Sequence, residues 1–145
     1  MNISGLLPGL SKLLGAGSIA YGFESYRFAF QPGEISAIGS ALAGCSATIL
    51  GFLIAAVALM ASVMDRTLVA NLRATGGYQK LIFDTFVCTG LHLFLMASSL
   101  TLLLPWSSGK DGILLLSVYL AALAWITLVT TGAGLYRVIM RASRG

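Results

Sequence analysis

The run Ala37–Met64, AIGSALAGCSATILGFLIAAVALMASVM, holds 28 residues without one Asp, Glu, Lys, Arg or His and stops at Asp65-Arg66. As a helix rising about 1.5 Å per residue it reaches roughly 42 Å, against a bilayer hydrocarbon core of about 30 Å. It is long enough to span a membrane with length left for tilt or a protruding end. A soluble core helix of this length needs a polar face, and this one has none. Instead it has two rows of small residues. Gly39, Ala43, Ala47, Gly51 and Ala55 recur at steps of four, with Ser36, Ser40, Gly44 and Thr48 beside them. Small residues so placed let a second helix approach closely, which is how helices associate in lipid. The first row is the predicted helix-packing face.

Composition extends this reading to the whole chain. Its 145 residues are 57% hydrophobic and 10% charged, with mean hydropathy +0.90. A soluble domain carries about 25% charged residues, so too few charges exist here to cover a core, and the surplus apolar surface must face lipid. The expected fold is an all-α integral membrane protein of one domain. It has three transmembrane helices, at about 37–64, 84–104 and 112–136, and an N-terminal amphipathic helix.

Working outward, residues 1–35 form the N-terminal region and 36–145 the membrane domain. In the first part Leu6, Leu10, Leu13 and Leu14 make a helical stripe opposite Ser11 and Lys12, weakened by Gly15, Gly17 and Gly22. This predicts a short helix on the membrane surface, with a re-entrant or fourth membrane segment as the rival. MNISGLLPGL lacks the basic start of a signal peptide. Gln31-Pro32-Gly33-Glu34 reads as a turn before the first span. After Met64 the stripe of Leu68, Val69 and Leu72 carries that helix out of the bilayer, until Thr75-Gly76-Gly77 breaks it. Pro105-Trp106 ends the second span and Ser107–Asp111 is a tight loop.

Positive charge orients the chain. The connection 65–83 carries Arg66, Arg73 and Lys80, and the tail 137–145 carries Arg137, Arg141 and Arg144, whereas the short loop has Lys110 offset by Asp111. Connection, tail and C-terminus are therefore expected on the cytoplasmic side of the membrane. The six basic groups share one face. They serve topology and anionic lipid, or, repeated around an oligomer, form a ring that binds an anionic signal such as an oligonucleotide through phosphate contacts.

Chemistry is sparse. His92 is the one histidine, and it falls near the middle of the second span. Thr85, Thr89, His92, Met96 and Ser99 share a helical stripe. That stripe faces a pore, with His92 as a pH-sensitive constriction, or it faces a bundle interior, with a neutral His92 bonded to a neighbouring Ser or Thr. Ser117, Ala121, Ala124, Thr127, Thr131 and Gly134 make a small-polar strip on the third span, suited to close packing or to a hydroxyl-lined water path. Mid-span Trp125 is expected to pack, and Cys45 and Cys88 to serve as small packing residues. One histidine without an acidic partner makes no metal site. No catalytic or nucleotide motif is present, and nothing calls for a cofactor, so the chain reads as a non-enzyme.

The run Gly51-Phe52-Leu53-Ile54-Ala55-Ala56, then Asp65-Arg66, then Leu72-Arg73-Ala74-Thr75-Gly76-Gly77-Tyr78-Gln79-Lys80-Leu81-Ile82 covers about a fifth of the chain. It resembles small bacterial multi-span membrane effectors of anti-phage defence, of the Hailong type. The resemblance implies a homo-oligomeric ion channel, controlled by a nucleotide or oligonucleotide signal from a partner nucleotidyltransferase and acting by membrane depolarisation. The residues leave two other readings open. One is a holin-like pore, also small, three-span and basic-tailed. The other is an accessory or assembly subunit of a larger membrane complex, its small-residue faces seating other chains.

Overall fold

The computed structural model describes residues 6–26, 30–63, 77–105 and 109–142. Among them the chain forms α1 (Leu6–Ser25), α2 (Pro32–Val63), α3 (Gly77–Thr101) and α4 (Lys110–Ala142). Segments Gly33–Leu59, Gln79–Thr101 and Lys110–Arg137 are each long and apolar enough to cross a membrane. Three helices thus coincide with the expected spans; each begins earlier than expected, and α3 ends at Thr101, three residues before the expected 104.

Local chemistry explains the ends. Gln31-Pro32-Gly33-Glu34 is the first turn of α2 rather than a turn ahead of it. The Gln31 carbonyl accepts the N–H groups of Glu34 and Ile35 at 2.9 and 3.2 Å, and the Gln31 N–H donates to Glu34 Oε2 at 2.9 Å. A glutamate on the third helical residue reaching back to the cap, with proline at the first, is a strong start signal. At the end of α3, the N–H groups of Leu102, Leu103 and Leu104 donate to carbonyls three residues back, so the last turn tightens ahead of Pro105. The reversal uses Gly109 at φ 90°, a left-handed conformation that glycine adopts without strain. The expected continuation through Leu68, Val69 and Leu72 lies outside the described residues.

The helices stand side by side in the order α2, α3, α4, α1, with α3 packed between α2 and α4 and α1 packed on α4. Neighbours are antiparallel. Gly39 of α2 lies against Leu102 near the end of α3, while Leu53 and Val57 share a cleft with Leu81 and Thr85 near its start. Likewise Gly15 of α1 faces Ile126, while Phe23 and Glu24 border a cleft with Asp111 and Leu115. One end of the layer, the loop end, holds Gly109 and a small core of Ile35, Leu102 and Leu114 with Phe23 and Phe30 packed against it. The opposite, basic end holds Lys80 and Arg137.

α1 follows α4 along its length. Small Ala16 and Ala20 are its buried residues, and Leu10, Leu13, Leu14 and Ile19 are exposed. Trp125 is 55% exposed, against the expectation that it packs, because α4 spends its inner faces on α3 and α1. Phe52, Phe86, Phe94 and Val129 also point outward, as a lipid-facing surface requires.

Candidate functional site: a buried polar strip on α3

The inner face of α3 is Leu81, Thr85, Cys88, His92, Leu95, Ser99 and Leu102, all buried. Their steps alternate four and three, the 3.5-residue repeat that keeps one face on its neighbours. Thr85, His92 and Ser99 of the predicted strip lie on this face; Thr89 and Met96 are half-buried beside it. From α4 come Ser117, Ala124 and Thr127, again buried, with Ala121, Thr131 and Gly134 half-buried. α2 contributes Ser46, which is 1% exposed. Within one copy these residues fill the interior of the layer.

One member, Ser46, is not marked in the sequence reading. Cys88 is buried, as a small packing residue is expected to be, and its backbone carbonyl, one turn before His92, holds the ring. Ser46 belongs to neither small-residue row. The signal for it is the step from Gly39 to Ala43 to Ser46, four then three, which is the actual contact face of α2.

Two hydroxyls of the strip, and that of Ser98 beside it, are satisfied by their own helix. Thr85 Oγ1 donates to the Leu81 carbonyl at 2.8 Å, Thr89 Oγ1 to the Thr85 carbonyl at 2.9 Å and Ser98 Oγ to the Leu95 carbonyl at 3.0 Å. Such back-bonding lets a polar residue sit in an apolar helix at little cost. Ser117 Oγ donates across helices to Ser98 Oγ at 3.2 Å, tying α4 to α3.

His92 is different. Its Nδ1 lies 2.9 Å from the Cys88 carbonyl oxygen, which can only accept, so Nδ1 carries the hydrogen and Nε2 the lone pair. The neighbour that satisfies the ring is a backbone carbonyl, where the sequence pointed to a Ser or Thr side chain. The Cys88 sulfur is 3.8 Å from the same Nδ1. That nitrogen is already a donor, so it cannot take a thiol proton and the pair makes no Cys–His nucleophile. Nε2 is buried without a protein partner, as are Ser46 Oγ and Ser99 Oγ. Among the described residues no group of three His, Cys, Asp or Glu side chains gathers to hold a metal.

The predicted packing row divides. Gly39 and Ala43 are buried against α3, but Ala47, Gly51 and Ala55 are exposed. Steps of four advance 400°, so the row drifts about 40° per rung and leaves the contact face. At Gly39 the fit is tight: a Cβ there would stand 2.9 Å from both Leu102 Cβ and the Ser99 carbonyl oxygen. At Gly44 and Gly51 it would meet nothing within 4 Å.

Of the six basic residues, Lys80 and Arg137 are exposed. They share the basic end, since Leu81 and Leu135 beside them line one cleft. Arg141 lies on the last turn of α4, and Arg66, Arg73 and Arg144 fall outside the described residues.

Compared with protein-family models, with curated proteins and with solved structures, the chain matches none.

Proposed function

We propose that this chain is a channel-forming membrane effector that works as a homo-oligomer, in bacterial anti-phage defence. It sits in the inner membrane with its C-terminus cytoplasmic. An anionic signal, a nucleotide or oligonucleotide from a partner nucleotidyltransferase, meets the basic end, and opening depolarises the cell.

The observation that carries the reading is the outward side of α2. Only 11% of its apolar window is buried, the least of the three spans. That open side bears Ser40, Gly44, Ala47, Thr48, Gly51 and Ala55. Lipid tails gain little from such a surface, whereas another helix can approach it closely and gain dispersion contacts along its length. The layer's own interior is filled by the buried strip, so a water path runs between copies. We read α1 as a fourth, shorter membrane segment beside α4, because it lies antiparallel along that helix with its leucines outward; the N-terminus is then cytoplasmic.

The test is expression in cells with a membrane-potential dye, with and without a co-expressed nucleotidyltransferase. Depolarisation that depends on the second protein is expected. Unchanged potential under both conditions ends the channel reading. Purification in mild detergent separates the alternatives: a symmetric homo-oligomer is expected, and stoichiometric unrelated subunits would instead favour an assembly role.

A further inference from the structure

His92 is 1% exposed, its Nδ1–H is committed to the Cys88 carbonyl, and its bare Nε2 has no partner within the protein. A buried acceptor left unpaired is destabilising, so the packing around it should supply a donor. The register says what. Gly39 sits at the level of Ser99 and Leu102. Seven residues further along each antiparallel helix, two turns or about 10.5 Å, bring Ser46 and His92 to one depth on facing sides. The cleft shared by Leu53, Val57, Leu81 and Thr85 confirms the same register nearer the basic end. Ser46 Oγ is buried and equally without a partner. On the other flank the Ser98–Ser117 bond sets the register of α4, and the same two-turn step places Ala124, fully buried, beside the ring. Alanine there leaves room for an imidazole.

We propose that His92 and Ser46 form an internal proton-accepting site at the interface of α2 and α3. Its ligand is a proton delivered by water. A hydronium ion gives its proton to the lone pair of Nε2 and departs as water, and the ring becomes an imidazolium. Ser46 Oγ and Nε2 have no direct bond, so a water between them serves both states, donating to the bare nitrogen and accepting from the protonated one while Ser46 holds the water. The Nδ1–H bond to Cys88 is kept throughout. On α3 itself the titratable neighbours are Cys88, one turn away, and Asp84, two turns away. α2 and α4 face the ring with Ser46, Ala124 and Thr127, none of which is charged. From α1, Lys12 lies within electrostatic reach of Cys88. The charge therefore arises in the contact that holds α2, the helix with the proposed self-association face, and loosens it.

With one histidine in the chain, uniform 15N-histidine labelling gives a single imidazole in solid-state NMR spectra of the protein in lipid bilayers. The expected result at neutral pH is a protonated Nδ1 and a bare Nε2 with a water contact. On acidification it converts reversibly to the imidazolium. Ser46→Ala, which removes a single heavy atom, is expected to shift the Nε2 signal and leave Nδ1 in place, with helix content by circular dichroism unchanged. The opposite tautomer, a ring that never converts while the fold persists, or an Nε2 signal indifferent to Ser46→Ala would each overturn the proposal. The site lies within one protomer and stands apart from the channel reading. Normal titration without conductance fails the channel alone, and conductance without titration fails the site alone.

Discussion

Gly39 and Gly51 occupy equivalent places in one sequence row and opposite places in the structure. At Gly39 the neighbouring atoms are a Leu102 Cβ and a backbone oxygen, neither the tip of a flexible chain. Gly39→Leu must therefore push α2 off α3. It is expected to lower stability by about 1–3 kcal/mol, the usual cost of overpacking, read as a lower unfolding temperature in detergent. Gly51→Leu meets open space and is expected to leave the stability of one copy unchanged while weakening association between copies. Equal loss of stability in both variants would contradict the register described here. Ser117→Ala removes the hydroxyl bond between α4 and α3, expected to be worth about 0.6 kcal/mol in a membrane interior. The row of glycines and alanines was legible in the sequence. Which rungs touch α3 was not, because a 40° drift per rung has no visible mark in a string of letters.

For single elements, local signals were strong and mostly readable. Pro32 and Glu34 announce the start of α2, Pro105 the end of α3, and Gly109 the reversal. The error over Gln31–Glu34 is instructive: proline and glycine together suggest a turn, but the Glu34 carboxylate reaching back to the Gln31 N–H makes them a cap. α2 is also the element on which the proposed oligomer depends. Cys45 is exposed there, next to Gly44. Copies that meet on this side bring their Cys45 thiols close, so mild oxidation in membranes is expected to give a dimer that resists denaturant without reductant. Cys45→Ser should abolish it, and buried Cys88 should not substitute. Absence of that dimer, with cross-linking instead from a cysteine placed at Phe94 on α3, would move the self-association face to another helix.

At the scale of the whole molecule, the two ends of the bundle differ: Glu24, Glu34 and Asp111 belong to the loop end, and Lys80 and Arg137 to the other. The loop end closes on Ile35, Leu102 and Leu114, while Lys80 and Arg137 stand together at the other. If an anionic signal acts at the basic end, replacing Arg137, Arg141 and Arg144 together by alanine should remove the response to the signal and leave the oligomer intact. Binding of a short oligonucleotide to the detergent-solubilised protein is expected to weaken as salt rises, since phosphate contacts release counterions. An unchanged response in the triple variant would return these residues to topology and lipid contact. The pore reading of the Thr85–Ser99 strip depends on this scale too. In one copy the strip is interior, and only a further copy can create a lumen.

Membrane spans are written in composition, because whether a segment partitions into lipid depends on its own length and side chains and on little else. The three long apolar helices and their antiparallel succession therefore follow from the chain read as a string. The identity of the facing residues does not. Lipid is as apolar as leucine, so no burial of hydrophobic surface selects one helix face over another. The choice is made by close fit, and fit depends on where the other helices stand. That is why Ser46 meets the level of His92, why Trp125 points outward, and why the opening run Ala37–Met64 shows one small-residue face to α3 and keeps the other free.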